Sequence, residues 1–170
     1  MGDDLNIANW PANSTVVIPM VAGIGNALMA EPMVRQLHDA RSDLRIIVNA
    51  MIDPMGEPFR RIGRVVANVT GRGSKKMFRT SVQTRIIKPK AYVVPFPSNR
   101  WEYNVLARAS GADIVLMHGY PVRAFGSSLA RATRVEAKRG IHDVVQNLRL
   151  LESLQIRPDY SMAPRFPVKE

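Results

Sequence analysis

The chain of 170 residues contains no cysteine, so disulfide bridges and metal sites built on thiolates are excluded. Aromatic residues make up only 6% of it. The most apolar stretch, residues 16–30, is broken by Pro19, two glycines and Asn26, so it is not expected to span a membrane. Acidic side chains are missing altogether between residues 60 and 101. What is present is a hydrophobic fraction of 46%, which is enough to form one globular core.

The acid-free window is strongly basic, and it contributes much of the net charge of +10. Such a stripe suits anionic lipid headgroups, a phosphorylated glycan or nucleic acid. Nucleic acid is disfavoured, because the window lacks regularly spaced aromatic side chains. The alternative is a solvated helix face that only keeps the protein soluble. The candidate basic surface consists of Arg72, Lys75, Lys76, Arg79 and Arg85.

Apolar runs of strand length alternate with stretches of helix length over residues 15–157. This alternation predicts one α/β domain, a Rossmann-like and mostly parallel sheet with helices on both faces. Residues 1–14 are predicted to be a polar tail, and residues 158–170 a linker or docking tail. Strands are predicted at 16–21, 44–48, 65–70, 91–96 and 112–117, and helices at 27–41, 54–62, 74–87, 99–110 and 141–154.

A glycine-containing turn, with Gly23, Gly25 and Asn26, joins the first predicted strand to the first helix. A helix N-terminus carries about half a unit of positive charge, so the turn can bind an anion or a sugar phosphate. Leu28 stands where the dinucleotide fingerprint needs Gly or Ala, and no Gly-Lys-Ser/Thr follows. No cofactor is therefore expected. Asn26 is predicted to cap the helix, and the alternative is that the glycines serve the turn alone.

Ligands of parallel sheets bind beyond the carboxyl ends of the strands. Ser98, Asn99 and Arg100 follow the fourth predicted strand, and Ser98 or Asn99 can cap the next helix. Arg100 suits a phosphate, because its guanidinium can bind two oxygens at once. His118 and Tyr120 follow the fifth strand. His118 is the candidate general base, with a structural histidine as the alternative, and no metal site is expected from the spacing of His, Asp and Glu.

Three separated segments carry a family resemblance. Residues 22–37 contain Gly-Ile-Gly-Asn and then Leu-x-x-x-Pro. Residues 95–104 contain Pro-Phe-Pro-Ser-Asn-Arg and Tyr-Asn. Residues 141–154 contain His-x-x-x-Gln-Asn-Leu-x-Leu-Leu. In this order the segments resemble glycosyltransferase family 9, the ADP-heptose:lipopolysaccharide heptosyltransferases.

The resemblance implies the N-terminal, acceptor-binding half of an inverting two-domain glycosyltransferase of the GT-B type. Such an enzyme transfers a heptose-like sugar from a nucleotide-sugar to a bacterial surface glycan or glycolipid. The donor site would lie mostly in a missing C-terminal half, so the implied partners include a second protein half or another copy of the chain. The location expected from the lack of cysteine is the cytoplasm, and the basic surface predicts peripheral contact with the inner face of the membrane.

One position departs from the family pattern. The fourth residue of the family turn is an Asp, taken as the base that deprotonates the acceptor, whereas this chain has Asn26. An amide cannot accept that proton and can only orient the acceptor by hydrogen bonding. Three explanations stay open: another base such as His118, a different acceptor, or a non-catalytic nucleotide-, glycan- or partner-binding module left by truncation or splitting.

Overall fold

A computed structural model describes residues 3–21, 23–122, 125–126 and 128–165. The helices are α1 (Ile24–Ala40), α2 (Asp53–Gly56), α3 (Ser74–Ile86), α4 (Trp101–Ser110) and α5 (Asp143–Glu152). The strands are β1 (Thr15–Met20), β2 (Arg45–Ala50), β3 (Val65–Val69), β4 (Ala91–Val93), β5 (Ile114–Gly119) and β6 (Thr133–Glu136). All strand pairs are parallel, in the order β3-β2-β1-β4-β5-β6. The predicted Rossmann-like α/β fold is confirmed.

The central strands are buried on both faces, which is why β1 and β2 are nearly continuous runs of apolar residues. One face of the sheet packs against α1, α2 and α5 through side chains such as Ile18, Leu37 and Leu148. The other face packs against α3 and α4 through side chains such as Tyr92 and Leu106. The five helices therefore form two layers around one sheet.

The structure corrects several predicted boundaries. β6 was not predicted, and β5 continues two residues beyond its predicted end because His118 pairs with Val135, and Gly119 with Glu136, of β6. Strand β4 ends at Val93, three residues early. Helix α1 begins at Ile24, before the residue that was expected to cap it.

The N-terminal segment, which was predicted to be a polar tail, packs against the rest of the chain. Two short 3-10 turns, Asp3–Leu5 and Ile7–Asn9, precede β1. The side chains of Ile7 and Trp10 are 5% and 4% exposed and belong to the core. The backbone N–H of Ile7 donates to the carbonyl of Leu154 over 3.3 Å. This segment therefore covers the α1 and α5 side of the sheet.

The C-terminal segment runs back across α1 as far as Arg165, the last described residue. Gln36 exchanges hydrogen bonds with the backbone of Asp159, at 2.9 Å to its carbonyl and 2.8 Å from its N–H. The backbone N–H of Arg165 donates to Glu31 Oε2 at 3.1 Å. The predicted role of this segment as a linker toward another domain stays a prediction. No helix in the described ranges has the length and apolar character needed to cross a bilayer.

Candidate functional site at the carboxyl edge of the sheet

The strand order reverses between β1 and β4, which are neighbours in the sheet but far apart in the chain. In doubly wound sheets the crevice at such a switch point is where ligands bind. Two segments flank it here. They are the glycine turn (residues 23–26), which follows β1, and the β4 loop (residues 94–100), which follows β4.

The glycine turn forms the N-terminus of α1. Gly23 is the N-cap residue, and no side chain caps the helix. Its carbonyl accepts hydrogen bonds from the N–H groups of Asn26 at 3.1 Å and Ala27 at 3.3 Å. The prediction that Asn26 caps the helix is therefore wrong, and Asn26 lies half-buried in the first turn. That turn is described throughout and holds no acidic residue, so the positive end of the helix dipole stays open to an external anion.

Both glycines of the turn leave open space. A Cβ added at Gly23 or Gly25 would meet no heavy atom of the described residues within 4 Å, its chain neighbours and the backbone of its own helix aside. Gly23 has φ −32°, and Gly25 is not among the glycines with positive φ. At Gly25, neither packing nor a positive φ therefore requires glycine. The other use of glycine, close approach of a ligand to the backbone, fits better than a purely structural turn.

The β4 loop is tied to the residue after β5. The N–H of Ser98 donates to Tyr120 Oη at 2.8 Å, and Ser98 Oγ accepts from the N–H of His118 at 3.3 Å. Ser98 is 4% exposed, so its hydroxyl braces the loop and is not free to bind a ligand in this arrangement. Burial raises the pKa of Tyr120, opposed by its hydrogen bonds with Ser98. Tyr120 is therefore a neutral phenol at physiological pH.

Asn99 and Arg100 are the exposed members of the loop. Asn99 Nδ2 donates to the carbonyl of Val122 at 3.0 Å. Arg100 is the N-cap residue of α4 but makes no side-chain capping bond, so the prediction that Ser98 or Asn99 caps this helix is wrong. Arg100 Nη2 lies 2.9 Å from Glu102 Oε1. The guanidinium is half-exposed and close to the switch point, but it already has an acidic partner.

His118 does not lie on the exposed rim. It is inside β5, is 0% exposed, and neither ring nitrogen makes a hydrogen bond of good geometry with any described residue. Burial lowers the pKa of His118 to about 4, with the backbone of Val135 opposing and the charge of Arg149 adding to the shift. The ring stands edge-on to Phe96 at a centroid distance of 5.5 Å. The structure thus gives a neutral core imidazole, without the access that a base acting on an acceptor needs.

Two consecutive buried amides of α5 hold the rim in place. Asn147, 0% exposed, accepts from the N–H of Phe96 at 2.7 Å and donates to the carbonyl of Met29 at 3.1 Å. Gln146, 1% exposed, accepts from the N–H of Lys138 at 3.4 Å and donates to its carbonyl. Neither amide was predicted to have a role. The sequence does contain a signal that they are buried, since they are adjacent amides in a helix whose other inward positions are apolar.

An open cavity of about 270 Å³ lies beside the β4 loop, past the ends of β5 and β6. Its aromatic wall is Phe96 and Tyr120, whose rings stack at a centroid distance of 6.1 Å. Lys138 and Arg139, both exposed, supply positive charge. Sequence reasoning missed these two cations because it missed β6, the strand that delivers them to this edge. The cavity suits an anionic sugar, with aromatic surface for the ring and cations for the charge.

The predicted basic surface lies on α3 and just before it. Arg72 precedes α3, and the other four cations, Lys75, Lys76, Arg79 and Arg85, lie on α3, all of them exposed. Among the described residues, none of these five cations lines the cavity beside the β4 loop. A cavity of about 750 Å³ is lined by residues that include Glu31 and Arg35 of α1 and Met162 and Arg165 of the C-terminal segment. It lies along α1, and its buried cation is paired within the chain, since Arg35 Nε lies 3.0 Å from Glu31 Oε1.

No protein-family model matches the chain, and no curated protein matches it. The chain does match solved structures. A glycosyltransferase family 9 protein from Veillonella parvula aligns with a TM-score of 0.70 at 13% identity, over 99% of this chain and 47% of that protein. The Escherichia coli heptosyltransferase WaaC with ADP aligns with a TM-score of 0.65 at 11% identity, over 88% of this chain and 50% of the enzyme. WaaC with ADP-2-deoxy-2-fluoro heptose gives 0.61, again at 11% identity, over 88% of this chain and 51% of the enzyme.

These similarities confirm at the level of fold the resemblance that the three sequence segments indicate. The chain spans about half the length of each structure it matches. At 11–13% identity the comparison establishes the fold and carries no residue role with it. The chain has the Rossmann-like fold found in about half of a family 9 glycosyltransferase.

Proposed function

We propose that this chain is the acceptor-binding, N-terminal half of an inverting GT-B glycosyltransferase. The observation that carries the proposal is the open glycine turn, a helix N-terminus without a capping side chain or an acidic neighbour, at the switch point of the sheet. The resemblance of three sequence segments to family 9 and the shared fold support the same assignment.

The acceptor in this proposal is an anionic glycan or glycolipid of the bacterial surface. One anionic group of the acceptor binds to the N–H groups of the glycine turn, and a second anionic group binds to Lys138 and Arg139, three strands away in the sheet. The sugar ring between them lies on Phe96 and Tyr120. Asn26 orients a hydroxyl as a hydrogen-bond partner. Because Ser98 is buried, it acts by bracing the β4 loop and not by contact.

The reaction is direct transfer with inversion. The acceptor hydroxyl oxygen forms a bond to the anomeric carbon of a heptose-like sugar, and its proton passes to a base. The bond between that carbon and the diphosphate breaks, and the nucleoside diphosphate leaves with the electron pair. Holding both reactants in line supplies much of the rate. Most of the nucleotide-sugar site belongs to a second half, and WaaC, one of the structural neighbours, is seen with ADP and an ADP-heptose analogue.

Transfer requires a base, and neither of the two predicted candidates on this chain can serve as one. Asn26 cannot accept a proton at neutral pH, and His118 is buried with a lowered pKa. We therefore propose that the base comes from the second half of the enzyme. The proposed location of the reaction is the cytoplasm. The second candidate function, favoured by the same two residues, is a non-catalytic module that binds the glycan without transferring sugar.

Calorimetric titration with mannose phosphate tests the acceptor site. Replacing Lys138 and Arg139 together with Ala should weaken binding by about 100-fold or more, since each charge-assisted hydrogen bond is worth roughly 1.5–3 kcal/mol and about 1.4 kcal/mol is a factor of ten. The matched control is Arg157→Ala, an exposed cation outside the site. Equal loss in the control, or no binding by the native chain, would contradict the proposal.

A transfer assay separates the two candidate functions. The chain is combined with a Rossmann-like half encoded in an adjacent reading frame, with an ADP-sugar and the glycan acceptor. Release of ADP that needs both proteins supports the split enzyme. Binding without release in the combined sample supports the non-catalytic module, and release by this chain alone would refute the missing donor half.

A further inference from the structure

The outer face of α3 and α4 exposes apolar side chains that the acceptor site does not use. Phe78, Val82 and Ile86 recur every four residues on α3 and are 48%, 44% and 81% exposed. Residues four apart form one ridge along a helix, here called the α3 ridge. Trp101 of α4, 49% exposed, meets Phe78 across a shallow cavity of about 250 Å³. Contiguous apolar surface of this kind marks a contact site on a soluble domain.

Cations surround the α3 ridge. Lys75 and Arg79 lie on α3 within one turn of Phe78, and both are exposed. Arg85 and Arg108 line a second shallow cavity next to Phe78 and Val82. Among the described residues that line the two cavities, the one acid is Glu102, whose carboxylate is paired with Arg100. The face is therefore apolar along its centre and positive around its rim.

This combination selects among the candidate occupants. A second copy of the chain would bring the same cations against one another, which costs free energy in a two-fold contact. Nucleic acid would satisfy the cations and leave the ridge in water. An anionic lipid surface satisfies both, because an interfacial helix buries apolar side chains at the acyl boundary while its Lys and Arg contact phosphates.

We propose that α3 and α4 form a docking surface for anionic membranes, in which the α3 ridge and Trp101 enter the interface and the cations contact lipid phosphates. Both helices begin at the carboxyl edge of the sheet, so Lys75 and Trp101 lie at the end nearest the candidate site. A membrane on this face would therefore present a lipid-linked acceptor beside the switch point. That last consequence rests on the proposed function, whereas the docking itself does not.

Co-sedimentation with vesicles tests the docking. The native chain should sediment with vesicles of phosphatidylglycerol and phosphatidylcholine, and not with phosphatidylcholine alone. The double variant Lys75→Glu/Arg79→Glu should lower the partition coefficient by at least about 25-fold, at about fivefold per cation. Arg45→Glu/Arg157→Glu, which reverses two exposed cations elsewhere, is the control and should change it far less.

Serine substitutions of its apolar side chains test the α3 ridge separately from the surrounding cations. Ile86→Ser and Val82→Ser should each weaken sedimentation by roughly tenfold. Val66→Ser is the matched control for Val82→Ser, because both valines are 44% exposed and Val66 lies on β3. Vesicle binding that survives the serine changes would overturn the ridge insertion. Failure of the native chain to bind vesicles, or a native dimer in sedimentation equilibrium that Ile86→Ser converts to monomer, would overturn the membrane proposal. None of these results depends on mannose phosphate binding, so the two proposals can fail independently.

Discussion

The helices on one face of the sheet are covered by other parts of the chain, whereas those on the other face are exposed. On one face, α1 is buried along its middle turns, so that even Glu31 and Arg35 are 1% and 8% exposed. The chain's own two ends achieve this, since residues 3–14 and 158–165 lie over that side. On the other face nothing in the described ranges covers α3, whose Ile86 stays 81% exposed. The difference indicates that the first face is for stability and the second for contact with something outside the chain.

The same contrast separates two kinds of charge. On the covered face, the cation Arg35 is buried and paired with Glu31. On the open face the cations of α3 are exposed, and the helix contains no acidic residue. A charge that is buried and paired serves the fold, whereas unopposed exposed charge creates a field that extends into solvent. The covered face should therefore respond to substitution by unfolding, and the open face by changes in binding.

Truncation of an apolar side chain should show the largest contrast. Leu37→Ala on α1, where the side chain is 1% exposed, should lower the free energy of unfolding by about 3 kcal/mol because a cavity is left behind. Ile86→Ala on α3 should change it by less than about 0.5 kcal/mol. Urea denaturation followed by circular dichroism measures both. Equal destabilisation of the two variants would remove the distinction between the faces.

Acid should destabilise the covered face through His118. Because its pKa is about 4 in the folded chain and 6.5 when unfolded, the unfolded state binds more protons between these values. Stability should therefore be full above about pH 6.5 and fall as the pH decreases, by about 3 kcal/mol at pH 4. The measurement compares pH series of urea midpoints for the native chain and His118→Leu. A variant whose pH dependence matches that of the native chain would show that His118 is not the buried neutral group described here.

Loss of a buried amide should lower the free energy of unfolding by less than the Leu37 truncation or the protonation of His118. Asn147→Ala leaves the N–H of Phe96 and the carbonyl of Met29 without their partner, and should cost about 2 kcal/mol. Gln83→Ala, an exposed amide on α3, is the control and should be nearly neutral. Asn147→Ala should also weaken mannose phosphate binding, because the β4 loop loses its anchor. Wild-type binding in this variant would mean that Asn147 serves stability alone.

Gly25→Ala should give the smallest change in stability, and in the opposite direction. Alanine in the first turn of α1 should stabilise the chain by about 0.5 kcal/mol, since glycine is the poorer helix former. Binding of mannose phosphate should nevertheless weaken, because the new Cβ projects into the space left for the ligand. The stability measured by denaturation should thus rise while the affinity measured by calorimetry falls. Unchanged affinity would indicate that the ligand does not approach this backbone.

The sequence predicts the sheet well and its ends poorly. Five of the strands are short apolar runs separated by turn residues, and such runs can be recognised without knowing their neighbours. β6 was missed because Thr133–Glu136 contains one apolar residue, Val135, and is exposed or half-buried throughout at the edge of the sheet. The end of β5 depends on β6, since His118 and Gly119 extend the strand by pairing with it. The misplacement of His118 on the rim follows from that single missed pairing.

The site was predicted in part for the same reason. The glycine turn and the β4 loop follow well-marked strands, so the sequence indicates that they share one edge of the sheet. Which side chains point outward is decided by tertiary contacts, such as the bond from Ser98 to Tyr120. Lys138 and Arg139 could not be assigned to this edge without β6, and the buried role of Ile7 and Trp10 depends on a distant α5.

Amide chemical shifts of the isotope-labelled chain titrated with mannose phosphate test the central claim most directly. The account predicts that the largest shifts fall at Ile24, Gly25 and Asn26, with smaller ones at Tyr120 and Lys138. Shifts centred on α3, or none above those produced by uncharged mannose, would contradict an acceptor site at the glycine turn.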